Sequence, residues 1–183
     1  MFTVYQSQIL AILSDSPETE YYLSELGGMM GKHPGIFQRG INSLEKQGWI
    51  LSHKRGGQRL FKINAKHPLF KEIKAIVRKT VGIEAQLTKM VNAKSGICQA
   101  LIYGSYAADR MRQDSDIDLM VVVNDLKIED KLVEDLARVE KVLGREVNYK
   151  LYGEQDFKKR RKNKDPFLTE VLSNKHIFLK GSL

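Results

Sequence analysis

The sequence predicts an α+β chain in two parts, and three observations lead there. Up to residue 65 the segments are short, punctuated by turn formers, and closed by a Gly-Gly pair between two strand-like runs. Beyond residue 95, apolar strands alternate with helical stretches, the pattern of a small α/β unit with a mixed sheet. Two helical stretches lie between. The boundaries therefore read as 1–66, 67–95 for linking helices, and 96–183.

In the first part, Gln6 to Leu13 is a short apolar-periodic helix that stops at Ser14-Asp15-Ser16-Pro17. Tyr21 to Leu26 reads as a second helix, ended by Gly27-Gly28. Pro34 suits the first position of a third, in which Phe37, Ile41 and Leu44 share one face and Gly48 stops the run. Ile50–Arg55 and Gln58–Ile63 then flank Gly56-Gly57, whose freedom to take positive φ suits a two-residue hairpin turn. Trp49 reads as packing beside that hairpin.

Leu69 to about Lys79 and Ile83 to Val91 are helical. Ile97 to Tyr103 is an apolar strand, residues 105 to 112 suit a short helix, and Ile117 to Val123 is a strand buried on both faces. Leu132, Leu136, Val139 and Leu143 line one side of a long helix. Glu146 to Leu151 is a third strand; a very basic helix, an apolar stretch Phe167–Leu172 and a last strand Ile177–Leu179 follow.

The chain has 183 residues with 30 Lys and Arg against 22 Asp and Glu, a net charge of +8. With 42% apolar and 28% charged residues, wholesale disorder, collagen and a disulfide scaffold are excluded. Cys98 is alone and sits in an apolar strand, where it reads as a buried small hydrophobe. A reducing cytoplasm is the expected compartment. No apolar run nears the roughly 20 residues of a membrane span, and the N-terminus lacks a secretory pattern, so no membrane partner is expected. The basic surplus points to a polyanion.

Three short helices and a hairpin are the elements of a winged helix-turn-helix, whose third helix enters the major groove of duplex DNA. Here that helix presents Gln38, Arg39, Asn42 and Lys46, side-chain types able to read base edges or hold phosphates. The hairpin adds Lys54, Arg55 and Arg59. The competing reading is plain: polar outer faces and basic loops also occur on domains that bind nothing. Such units often dimerise, which leaves a homodimer open.

The second part carries the sharper signal. Gly104-Ser105 sits at a strand-to-helix junction, and Asp116-x-Asp118 follows ten residues later. Side chains two apart on a strand share a face, so both carboxylates point together. Such a pair can hold Mg²⁺ or Mn²⁺ with the phosphates of a substrate. Gly lets the backbone approach a ligand, Ser can cap the helix, and free N–H groups there suit a triphosphate. The alternative, a solvated turn with two aspartates, sits poorly with the apolar strand that follows at once.

At Gly104, Ser105, Asp116 and Asp118 the chain resembles the minimal nucleotidyltransferases of the DNA polymerase β superfamily. The stretches KINAKHPLFKEIKAIVRKTVG, GSYAADRMRQDSDIDLMVVV, GREVNYKLY and DPFLTEVLSNKHIFLKG extend that resemblance to prokaryotic proteins joining a winged helix-turn-helix to such a domain. The resemblance implies metal-dependent transfer of a nucleoside monophosphate from an NTP, ATP foremost, to a hydroxyl. Asp116 and Asp118 would ligate the metal; Gly104 and Ser105 would hold the phosphates. It further implies a third carboxylate on the neighbouring strand, and Asn148 falls at that position. Asn is neither a base nor a strong Mg²⁺ ligand; Glu146, two residues earlier, shares its strand face as a substitute. The acceptor would be a protein or a small molecule. The alternative is a transcription regulator whose degenerate transferase only senses a nucleotide, and a third reading is a modifier of a toxin-like partner protein. The basic run Lys158 to Lys164 suits nucleic acid, an acidic partner or plain solvation.

Overall fold

The computed structural model describes residues 2–112 and 115–182. Asp114, part of the aspartate-rich stretch quoted above, lies outside the described residues. The chain divides into two compact units, Met1–Ala85 with Val142–Gly144, and Gln86–Lys141 with Arg145–Leu183.

The first unit opens with helix α1 (Val4–Asp15). Thr3 caps it reciprocally: its hydroxyl accepts from the Gln6 N–H at 3.3 Å, and the Gln6 amide oxygen accepts from the Thr3 N–H at 2.9 Å. A two-residue strand, β1 (Tyr21–Tyr22), leads into α2 (Leu23–Met30), and α3 (Pro34–Lys46) follows. Pro34 starts α3, and Phe37, Ile41 and Leu44 are buried, as the spacing predicts. Strands β2 (Ile50–Arg55) and β3 (Gln58–Ile63) form the hairpin, with Gly56 and Gly57 at φ +57° and +81°. The short β1 adds to β3, giving an antiparallel sheet in the order β1-β3-β2.

Two readings of this region need correction. The residues from Tyr21 form a strand pair before they form a helix, a pairing too short to carry a period-2 signal. Gly27-Gly28 does not end α2, which continues to Met30 and stops at Gly31 in the left-handed region. Gly27 serves packing instead: a Cβ there would lie 2.8 Å from the Lys32 carbonyl and 3.3 Å from the Pro34 ring. Trp49 is half-buried and stacks on His67 with ring centroids 3.8 Å apart.

Helix α4 (Phe70–Thr80) packs on α1 through buried Ile73 and Val77. Asp15, 7% exposed, pairs there with Arg78, 11% exposed, at 3.3 Å. Removing one member of a largely buried ion pair is destabilising. Asp15→Ala is therefore expected to lower unfolding free energy by about 3 kcal/mol, read as a fall in the urea midpoint.

Helix α5 (Ile83–Asn92) precedes β4 (Ile97–Tyr103), the four-residue α6 (Gly104–Ala107) and β5 (Ile117–Val123). Then come α7 (Glu129–Leu143), β6 (Val147–Gly153), α8 (Glu154–Lys162), α9 (Pro166–Ser173) and β7 (Ile177–Lys180). The sheet order is β6-β5-β4-β7, parallel between β5 and β6 and antiparallel elsewhere, so it is mixed as expected. Alternation sends Ile117, Leu119, Val121 and Val123 to one face and Asp118, Met120 and Val122 to the other. The second face packs Leu101, Met120 and Val122 against Phe157 of α8 and Leu168 and Val171 of α9.

Three local expectations shift. Helix α6 stops at Ala107 rather than reaching residue 112, and Tyr103, not Ser105, occupies its cap position. Asp116 lies just before β5 rather than within it. Cys98 is half-buried at a bulge of β4, with its thiol on the Asn124 amide oxygen, because the bulge turns the residue off the core-facing register. Among the described residues no helix is long and apolar enough to cross a membrane.

Candidate active site

Gly104 ends β4 with φ +71°, a conformation that an L side chain adopts only at a cost. That turn brings the backbone against β5. A Cβ built on Gly104 would overlap the Asp118 Oδ2 and stand 3.1 Å from its Cγ. The glycine is thus required twice, by its dihedral and by the carboxylate beside it.

Asp118 lies opposite Tyr103 on one side and Asn148 on the other. In a parallel pair, residues in register share a face, so Asp118 and Asn148 stand side by side. Asn148 Nδ2 donates to Asp116 Oδ2 at 3.0 Å, which ties in the other aspartate. Four of the residues singled out from sequence, Gly104, Asp116, Asp118 and Asn148, therefore meet at one end of the sheet. Glu146 precedes β6; its carbonyl accepts from the Ile117 N–H at 3.0 Å and its side chain is exposed. Among the described residues no group of three or more His, Cys, Asp or Glu comes together as a metal-holding set. The cluster is two carboxylates and an amide.

Burial, and then the negative charge of Asp116, push the Asp118 carboxyl above its ordinary value. Tyr103 is pushed up to about 12, first by burial and then by the Asp118 charge. An acid with a raised folded pKa binds more protons folded than unfolded. Its stabilising contribution is full below the unfolded pKa and is lost as pH rises through the folded one. At neutral pH the ionised Asp118 thus opposes folding, and a cation would relieve it. Asp118→Asn is expected to raise the melting temperature of the free protein at pH 7. The gain should vanish as pH falls toward the ordinary Asp range, where the wild-type carboxyl is protonated too.

Tyr103, Gly104 and Ser105 also line a cavity of about 750 Å³. Its far wall is α9, through Phe167, Glu170 and Val171, with Asn174 and Lys175 just beyond and Arg110 at the rim. Phe167 sets its ring edge to Tyr103 at 5.6 Å, and Lys150 Nζ lies 4.5 Å from the Phe167 centroid. Sequence reasoning missed Arg110, and it missed Phe167, Glu170 and Lys175 because only the fold of α9 across the sheet brings residues so distant in the chain to Gly104. It also missed Arg145, whose guanidinium donates to the carbonyls of Arg112 at 3.1 Å and Ser115 at 3.2 Å. That contact ties Arg112 and Ser115, the residue before Asp116, to the chain just ahead of β6.

In the first unit Gln38, Arg39, Asn42 and Lys46 are exposed on α3, and Lys54 and Arg55 are exposed at the hairpin. Arg59 does not project from the tip. Its guanidinium pairs with Glu45, donates to the Ser52 hydroxyl at 2.9 Å and to the Asn42 oxygen at 3.3 Å, and lies 4.8 Å from the Phe61 ring centroid. The Arg59 bond, with that of Ser52, holds the Glu45 carboxyl below its usual range. Arg59 therefore fastens the hairpin to α3.

Residues 85–182 match the family model described as Polymerase beta, Nucleotidyltransferase. No curated protein matches the chain. Among solved structures, a toxin–antitoxin structure with AMP-PNP is similar at 18% identity and TM-score 0.40, over 54% of this chain and 73% of that one. The adhesin competence repressor AdcR of Streptococcus pyogenes is similar at 18% identity and TM-score 0.41, over 74% of this chain and 80% of its own. A ZitR mutant of Lactococcus lactis is similar at 19% identity and TM-score 0.38, over 51% and 63%.

Proposed function

Because the chain belongs to the polymerase beta nucleotidyltransferase family, we propose that its second unit binds a divalent metal and an NTP, ATP foremost, and transfers the nucleoside monophosphate to a hydroxyl. The observation that carries this reading is the close approach of the Gly104 backbone to the Asp118 carboxylate, which sets the bend beside the aspartate pair. The donor set fits a hard cation: two carboxylates, of which Asp118 is held above its ordinary pKa first by burial and then by the Asp116 charge. Bound Mg²⁺ would supply charge neutralisation on the phosphates. Asp116 and Asp118 would hold it.

In this reading Gly104 and Ser105 present backbone N–H groups to the phosphates, and Arg110 and Lys175 add cations at the cavity rim. The acceptor oxygen forms a bond to the α-phosphorus as the bond to the β-phosphate oxygen breaks and pyrophosphate leaves. The exposed Glu146 carboxylate takes the hydroxyl proton. The acceptor class is a protein or a small molecule. The first unit serves as a winged helix-turn-helix that holds the enzyme on duplex DNA, through Gln38, Arg39, Asn42 and Lys46 on α3 and Lys54 and Arg55 on the hairpin. Arg59 maintains the hairpin's position on α3.

A second reading is favoured by one observation, the Asn148 amide donating to Asp116 where an acid is expected. In that reading the unit binds the metal nucleotide without turning it over and reports its presence to the DNA-binding unit. Incubation with α-labelled ATP, Mg²⁺ and candidate hydroxyl acceptors separates the two. Transfer by the wild type, lost in Glu146→Gln with ATP binding kept, supports the enzyme. ATP binding without transfer, with label appearing only in Asn148→Asp, supports the sensor.

A further inference from the structure

Six of the seven residues from Lys158 to Lys164 are cationic, the densest charge run in the chain. Two of them are answered locally: Lys158 pairs with Glu154 at 2.6 Å, and Arg160 with Asp156 at 2.7 Å and Asp165 at 3.4 Å. The other four, Lys159, Arg161, Lys162 and Lys164, are exposed, and among the described residues no carboxylate stands within ion-pair distance of them. Cations in the last turn of a helix are favoured by its dipole, but each such contact is small and four repel one another.

These charges do not ride on a loose tail. Phe157, 4% exposed, anchors α8 in the core beneath the sheet. Lys164 takes φ +53° to turn the chain into Asp165, whose carboxylate caps α9 at the Leu168 N–H, 3.1 Å away. Both ends of the run are fixed, so little ordering remains to be lost on binding. Lys159 and Lys162 are three apart and share one side of α8.

We propose that this end of α8 is a second nucleic-acid contact, a sequence-independent clamp on the phosphate backbone of duplex DNA. It neutralises up to four phosphates and gives the second unit its own hold on the strand that the first unit reads. Two tethered contacts on one polymer raise the overall affinity through effective concentration. The choice of duplex DNA rests on the DNA-binding reading of the first unit, and the test separates the two.

The full-length protein is titrated onto a random-sequence duplex over a range of salt. Three variants accompany it: Lys159→Gln/Arg161→Gln/Lys162→Gln/Lys164→Gln, Lys54→Ala/Arg55→Ala, and the charge-keeping Lys159→Arg/Lys162→Arg/Lys164→Arg. Each phosphate contact contributes about 0.9 to the slope of log affinity against log salt. The quadruple variant should lose about 3.6 units of slope, the hairpin variant about 1.8, and the arginine variant none. An unchanged slope and affinity in the quadruple variant overturns the proposal whatever the hairpin variant does. So does an affinity loss seen with polyglutamate but not with the duplex, which would assign the surface to an acidic protein. Loss in the quadruple variant with an unchanged hairpin variant keeps the proposal and removes the DNA reading of the first unit. An unchanged melting temperature and urea midpoint establish that the variants are folded.

Discussion

Gly104→Ala is expected to reduce nucleotidyl transfer at least about 100-fold, while the sheet still assembles. Two independent effects act at Gly104. The left-handed backbone costs an alanine about 1–2 kcal/mol, which a domain of this size survives. The new methyl also falls on the Asp118 carboxylate, whose Cα stands opposite Tyr103 in the β4–β5 pair. Either Asp118 swings away or the bend opens. Displacing a reacting group by about 1 Å costs on the order of 100-fold in rate. Gly56→Ala is the control. It has φ +57°, and nothing lies within 4 Å of its added methyl, so it bears only the dihedral cost. It should lower stability by about 1 kcal/mol and leave transfer unchanged. Equal loss of transfer in both variants would mean that Gly104 acts through folding alone.

Asp116→Ala/Asp118→Ala is expected to lower transfer of label from ATP by about 1000-fold or more, since it removes the groups that would hold the charge-neutralising cation. Unlike most deletions of partly buried groups, this one should not destabilise the free protein. Burial, and then the Asp116 charge, hold the Asp118 carboxyl above its ordinary value, so removing it relieves a desolvation cost and a repulsion. A melting temperature at or above the wild-type value, together with lost transfer, would be the signature of carboxylates kept for chemistry. A fall of several degrees would instead assign them a structural part.

The site was legible in the sequence where it is local and illegible where it is tertiary. Gly104-Ser105 and Asp116-x-Asp118 are short spacings at the paired ends of adjacent strands, and strand alternation alone puts Asp118 on a defined face. The register of β5 on β6 then sets Asn148 level with Asp118. The cavity wall was hidden, because α9 reaches Gly104 only through the packing of Leu168 and Val171 on Leu101 and Met120. Periodicity finds that helix but says nothing of what it faces. The helical faces of the first unit were equally readable, as Phe37, Ile41 and Leu44 demonstrate. Gly27-Gly28 misled because glycine marks turns as a rule, whereas here Gly27 makes room for Lys32 and Pro34. Arg59 misled because its partner Glu45 is 14 residues away on α3. A basic residue next to a hairpin tip gives no sign of being already engaged.

The account stands on a metal-bound triphosphate seated at the Asp116–Asp118 pair beside Gly104. Calorimetric titration of ATP into the full-length protein, with and without Mg²⁺, addresses that seat without needing an acceptor. Binding should be at least about tenfold tighter with Mg²⁺, the free energy of one modest charge-assisted contact. Asp116→Asn/Asp118→Asn should abolish that difference. ATP bound equally well without metal, or by the double variant with Mg²⁺, would contradict the account.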